Sequence, residues 1–259
     1  MSPVLLSEQN GCVLTLTLNR PDRRNALNGE LVDALIEELV AAGQNAAVRV
    51  VVLTGSGTAF SAGADLDALR AMQSASYDEN LSDSRRLARL FETIIRLPKP
   101  VIGHINGHAI AGGCGLAAAC DIVLADQDAK FGFTEVRIGF VPALVSVFVR
   151  RRVAEGRLRH LLLRGHVIPA EEALAIGLVD EIYSADALSA AVAALARDIA
   201  TETSGIAVAL TKELLADIPS GLSEGLERAA GINAKARSTD DCRAGVAAFL
   251  DKSDPPWRS

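Results

Sequence analysis

Val101-Ile102-Gly103-His104-Ile105, followed at once by Asn106-Gly107-His108-Ala109-Ile110-Ala111-Gly112-Gly113-Cys114-Gly115-Leu116, is the stretch on which the fold turns. A nearly apolar run bounded by glycines reads as a strand covered on both faces. The glycine-rich segment behind it leads into a helical stretch. Such a junction leaves backbone N–H groups exposed, where an anion can sit with help from the helix dipole. Val50-Val51-Val52-Leu53 and Ile122-Val123-Leu124-Ala125 read as two further covered strands, and Phe60-Ser61-Ala62-Gly63-Ala64-Asp65-Leu66 is a second such junction. Strand, helix, strand repeated in this way predicts an α/β protein.

Toward the N-terminus, Val13-Leu14-Thr15-Leu16-Thr17-Leu18 alternates as a half-buried strand and stops at the turn Asn19-Arg20-Pro21-Asp22. Leu31, Leu35, Ile36 and Leu39 then recur at helical spacing, with Asn28 as N-cap. From about Pro169 the pattern becomes helical, over 171–178, 185–203, 206–217, 222–236 and 240–250. We divide the chain into a core domain, 1–195, carrying the site, and a helical C-terminal region, 196–259.

The 259 residues carry a net charge of −6 without basic runs, which argues against nucleic acid as a partner. No basic segment precedes an apolar stretch at the start, and no apolar run reaches the ~20 residues of a membrane span. The expectation is a cytoplasmic protein that does not enter membranes. Cys12, Cys114, Cys120 and Cys242 lack C-x-x-C spacing and read as free thiols of a reducing compartment. His104 and His108 stand four apart on a strand and its following loop without a carboxylate or cysteine at ligand spacing, so no metal site is expected. Gly55-Ser56-Gly57-Thr58-Ala59-Phe60 begins like a dinucleotide fingerprint but fails at Phe60. Ser61 lacks the G-x-S-x-G surround of a hydrolase.

Four segments taken together resemble the signatures of the enoyl-CoA hydratase/isomerase (crotonase) family in order and spacing. They are Phe60–Leu66, Asn106–Leu116, Ala118-Ala119-Cys120-Asp121-Ile122 and Lys130-Phe131-Gly132-Phe133-Thr134-Glu135-Val136-Arg137-Ile138-Gly139. The likeness runs from Leu18-Asn19-Arg20-Pro21 to Ala248-Phe249-Leu250-Asp251-Lys252. It implies a crotonase-like ββα-superhelix core with a helical C-terminal region, and hydration of an enoyl-CoA with no cofactor, coenzyme A entering as part of the substrate.

By the same resemblance the thioester oxygen is held by the N–H groups of Ala64 and Gly112, and Glu135 moves protons. Coenzyme A contacts fall to Arg24, Ala26, Ala62, Asp65 and Leu66, and to Phe249 and Lys252 at the meeting of neighbouring subunits in a homotrimer or homohexamer. Gly115 stands where two-carboxylate hydratases carry their first glutamate, a departure that leaves double-bond isomerisation open. A non-catalytic acyl-CoA binding or scaffold protein is the reading of another class, and retention of Glu135 speaks against it. The segment from Glu135 to Ser146 and the ending with Trp257 lean toward a 3-methylglutaconyl-CoA hydratase-like subgroup.

Overall fold

The computed structural model describes residues 2–65, 67–68, 70, 74–217 and 222–258, with the backbone alone at 222, 223 and 249. Strand β1 (Leu5–Asn10) buries only Leu5 and pairs antiparallel with β2 (Val13–Leu18), where Leu14, Leu16 and Leu18 turn inward. Helix α1 (Gly29–Gln44) opens at Asn28, whose side chain accepts the Leu31 N–H that the helix itself leaves unpaired. Its stripe of Leu31, Leu35 and Leu39 lies in the main core.

Every residue of β3 (Val50–Gly55) is buried. Successive side chains of a strand point to opposite faces, so Val51 and Leu53 join the core with α1 while Val50 and Val52 enter a second cluster on the other face. That is why the sequence is apolar without alternation.

Beyond β3 come β4 (Ala59–Ser61), α2 (Tyr77–Arg96), β5 (Val101–Ile105), β6 (His108–Ile110), α3 (Gly112–Ala119), β7 (Ile122–Asp126) and β8 (Lys130–Gly132). There follow α4 (Ala143–Val149), α5 (Glu155–Arg164), β9 (Val167–Pro169), α6 (Ala170–Ala175), β10 (Glu181–Tyr183) and α7 (Ala185–Glu202). The chain ends in α8 (Gly205–Ala216), α9 (Leu222–Arg237) and α10 (Asp240–Asp251).

The larger sheet has the order β1-β2-β3-β5-β7-β10, parallel from β2 onward. A smaller sheet, β4-β6-β8-β9, is parallel except for its last pair. Residue 195 falls inside α7, which covers the second face of the large sheet with Leu188 and Val192 before that point and Ala196 and Ala200 after it. Lys212 of α8 reaches the core, pairing with Asp121 and donating to the Lys99 carbonyl at 3.0 Å.

Candidate active site

Strands β4, β6 and β8 are parallel neighbours, and the chain leaving each carboxyl end carries one part of the site. This edge of parallel strands is where α/β sheets gather ligands.

After β4, residues 62–65 form a short parallel ladder with 24–27. The Ala62 N–H donates to the Arg24 carbonyl (2.9 Å), Leu27 N–H to Gly63 (2.7 Å) and Asp65 N–H to Leu27 (3.2 Å). Leu27 thus bonds on either side of Ala64, its bridge partner. In a parallel pairing this turns the middle residue's own N–H away from the partner strand, and the Ala64 N–H has no acceptor among the described residues. Gly63 makes the turn at φ +87°, and a Cβ there would lie 2.7 Å from the Ile110 carbonyl oxygen and 3.1 Å from the Gly112 nitrogen. Only glycine lets the two backbone segments come so close.

After β6, Ala111 takes φ 50° and ψ −123°, a conformation unusual for a residue with a Cβ. Its N–H is spent on the Gly132 carbonyl (2.7 Å), which ties this turn to β8. Gly112 opens α3 and, as a first-turn residue, its N–H has no intrahelical acceptor. None is found among the described residues.

After β8, Glu135 begins a 3-10 turn, Glu135–Ile138, and is 9% exposed. Its Oε2 is buried without a hydrogen-bond partner. Burial pushes the carboxyl above the usual range, its own backbone N–H pulling the other way. Its charge is felt at Cys114, one turn into α3, whose thiol is pushed up chiefly by burial. The Glu135 carboxyl thus lies near enough to the helix that Gly112 opens for its charge to act there.

At Gly115 a Cβ would lie 2.3 Å from Val145 Cγ1 and 3.5 Å from Phe91 Cζ. The space at the first-glutamate position is taken by α4.

Of the other predicted residues, Arg24 is exposed with φ 50°, and Ala26 and Asp65 are buried. The Asp65 carboxylate lies 2.8 Å from Arg20 Nη2. Leu66 and the Phe249 side chain lie outside the described residues. Lys252 is exposed in a left-handed conformation (φ 54°) just past α10, and the next N–H, of Ser253, reaches back to Ala248 (2.9 Å), closing the helix. Among the described residues no His, Cys, Asp or Glu side chains group as a metal-ligand set, and no helix is long and apolar enough to cross a membrane. Arg20, Asn25 and Val145 had no assigned role in the sequence. The contacts of Arg20 with Asp65, of Asn25 with Ser56 and Ala59, and of Val145 with Gly115 run across 30 residues or more, beyond the reach of local pattern.

Two unpartnered backbone donors and a buried carboxylate follow the ends of neighbouring parallel strands, and these are parts from which an α/β enzyme could build a site for charge on a carbonyl oxygen. The family model described as Enoyl-CoA hydratase/isomerase matches residues 8–259. A Thermus thermophilus protein, provisionally named an enoyl-CoA hydratase, is 43% identical over 252 residues, covering 97% of this chain and 99% of its own. The 2,3-dehydroadipyl-CoA hydratase of Escherichia coli is 34% identical over 260 residues, covering 100% of this chain and 99% of its own. A crystal structure of enoyl-CoA hydratase from Mycobacterium smegmatis matches with a TM-score of 0.94 at 33% identity, each chain fully covered (100%). The chain belongs to the enoyl-CoA hydratase/isomerase family and has its crotonase fold.

Proposed function

We propose that the protein adds water reversibly to the double bond of a 2-enoyl-CoA. Family membership and the names of its relatives support enoyl-CoA chemistry. The observation that supports the mechanism is the buried, unpartnered Glu135 oxygen after β8, with two unpartnered amides, of Ala64 and Gly112, close together after the neighbouring strands.

The thioester oxygen accepts from the Ala64 and Gly112 N–H groups. As the carboxylate, Glu135 takes a proton from water while the oxygen of that water bonds to C3, and the electrons of the double bond pass to the thioester oxygen as an enolate. Glu135, now the acid, returns the proton to C2. Donors fixed in advance favour the enolate by roughly 3 kcal/mol each. A raised carboxyl affinity for protons brings Glu135 nearer to serving as both base and acid.

Gly115 favours a second reading. With Val145 filling the space there, that position offers no second carboxylate to hold water, and one carboxylate is enough to move a proton between C2 and C4 of a 3-enoyl-CoA. Coenzyme A contacts from Arg24, Ala26, Ala62, Asp65 and Leu66, and from Phe249 and Lys252 of a neighbouring subunit, belong to this proposal. So do a trimeric or hexameric assembly, a cytoplasmic location and a branched, 3-methylglutaconyl-type acyl group.

Incubation with crotonyl-CoA, a 3-enoyl-CoA and 3-methylglutaconyl-CoA, followed by mass spectrometry and chromatography, tests these readings. Gain of water supports hydration and identifies the preferred acyl group. An isomer of equal mass supports the second reading, and no product from any of them contradicts both and leaves a binding protein.

A further inference from the structure

We infer that Arg20 and Asp65 are positioning residues that brace the Ala64 N–H from behind, so that the pair acts on the thioester oxygen without touching it. The inference rests on the assignment of the Ala64 N–H as an oxyanion donor.

The ladder between 24–27 and 62–65 has two separate strands, and Arg20 spans them. Its Nη1 donates to the Ala26 carbonyl (2.5 Å) on one side, and its Nη2 forms an ion pair with Asp65 Oδ2 (2.8 Å), without hydrogen-bond alignment, on the other. The side chains are 17% and 4% exposed, so water competes little for the contact. Asp65 in turn fixes the backbone beyond the ladder, its Oδ1 accepting the Asp67 N–H (2.8 Å). Burial raises the Asp65 carboxyl, but the Asp67 N–H and Arg20 outweigh it and hold the group below its usual range.

Arg20 is itself anchored. Its backbone N–H donates to Asn25 Oδ1 (2.9 Å), and Asn25 Nδ2 donates to the carbonyls of Ser56 (2.9 Å) and Ala59 (2.8 Å). Asn25 is fully buried with φ 53°, and its own carbonyl accepts from Ser61 Oγ (2.8 Å). Every residue from 62 to 65 except Ala64 thus has its N–H pinned: Ala62 and Asp65 by the ladder, Gly63 by Ser61 Oγ at 3.3 Å. The bonds converge on one unpaired amide. The parallel pairing with Leu27 turns that amide outward, and the bonds on either side hold it there.

The test uses Asp65→Asn, which keeps the Asp67 acceptor and removes the charge, and Arg20→Lys, which keeps a cation but not the two-armed span. Infrared spectra of bound butyryl-CoA labelled with 13C at the thioester carbonyl report how strongly the oxygen is held. Affinity is compared for butyryl-CoA and for S-butyl-CoA, a thioether with no carbonyl. In the native protein the bound carbonyl stretch should move to lower frequency. In both variants that shift should shrink and kcat should fall about 10- to 100-fold, and in Arg20→Lys, at a residue given no coenzyme A contact, affinity should drop for the thioester alone. If the native protein shows no shift, the oxyanion assignment itself is wrong. If the native shift is present and the folded variants keep it whole, or Arg20→Lys loses both ligands equally, the brace is refuted. Should one variant fail to fold, the carbonyl shift in the other decides between the same two outcomes.

Discussion

In the proposed mechanism burial fits Glu135 for proton transfer, and the same burial works against the fold whenever the group is charged. Its folded-state carboxyl titrates above the ordinary value of 4.5, so the native state holds the proton more tightly than the unfolded chain does. Stability from this group is present in full below about pH 4.5 and is lost as pH rises through the folded value. Glu135→Gln is never charged. Urea unfolding should find it more stable than the native protein at neutral pH, with the margin closing toward pH 4.5, while turnover falls by ~10²–10⁴. An unchanged margin across pH would mean that the carboxyl is not perturbed. Gly115 is held by packing. Gly115→Ala places a Cβ 2.3 Å from Val145 Cγ1, an overpacking expected to cost about 1–3 kcal/mol, and Gly115→Ala with Val145→Ala should recover most of it. Gly115→Glu should lower hydration rather than raise it. A large rise would show that the native protein is a poor hydratase and would favour isomerisation. These effects turn on neighbours distant in sequence: Gly115 was legible as a departure from the family pattern, whereas Val145 as its cause was not.

Elements whose burial repeats along the sequence were legible in it. The alternation at Val13–Leu18, the helical stripe of α1 with its Asn28 cap and the apolar runs of β3, β5 and β7 all lie where the pattern put them. The small sheet was not legible. Its strands of three residues are too short for a period to show, yet three of them present the site. Strand β1 escaped as an edge strand with one buried residue, and α2 could have been located from its Ser76–Glu79 capping box. Helix α8 is tied to the core by Lys212, which is 8% exposed and reaches Asp121 and the carbonyls of Ile94 (3.3 Å) and Lys99 (3.0 Å). Lys212→Met strands those acceptors. Because Asp121 is 30% exposed, the cost should be about 2–3 kcal/mol, below that of breaking a wholly buried pair. Urea unfolding measures it, and protease cleavage near α8 should come sooner. No change in either would mean that the lysine is only a surface contact.

Across the whole molecule, α1 and α7 cover opposite faces of the large sheet, and the last helices leave Leu215, Leu226, Val246 and Leu250 exposed on a single chain. Apolar surface of this extent favours a partner. Sedimentation should show a trimer or hexamer, and truncation before Ala248 should weaken coenzyme A esters more than a short thioester lacking the nucleotide. A fully active monomer would contradict that arrangement. The α/β class and the helical tail were legible from hydrophobic pattern, but the covering of the sheet by α7 was not, because a helix reads alike whether it joins the core or a neighbour. The central claim is that Glu135 carries a proton between water and C2 while two amides hold the thioester oxygen. Incubating crotonyl-CoA in D2O with the native protein and with Glu135→Gln, and analysing the product by mass spectrometry and NMR, tests it most directly. The account predicts a hydrated product deuterated at C2 from the native protein and almost none from the variant. Equal hydration by both proteins would contradict it.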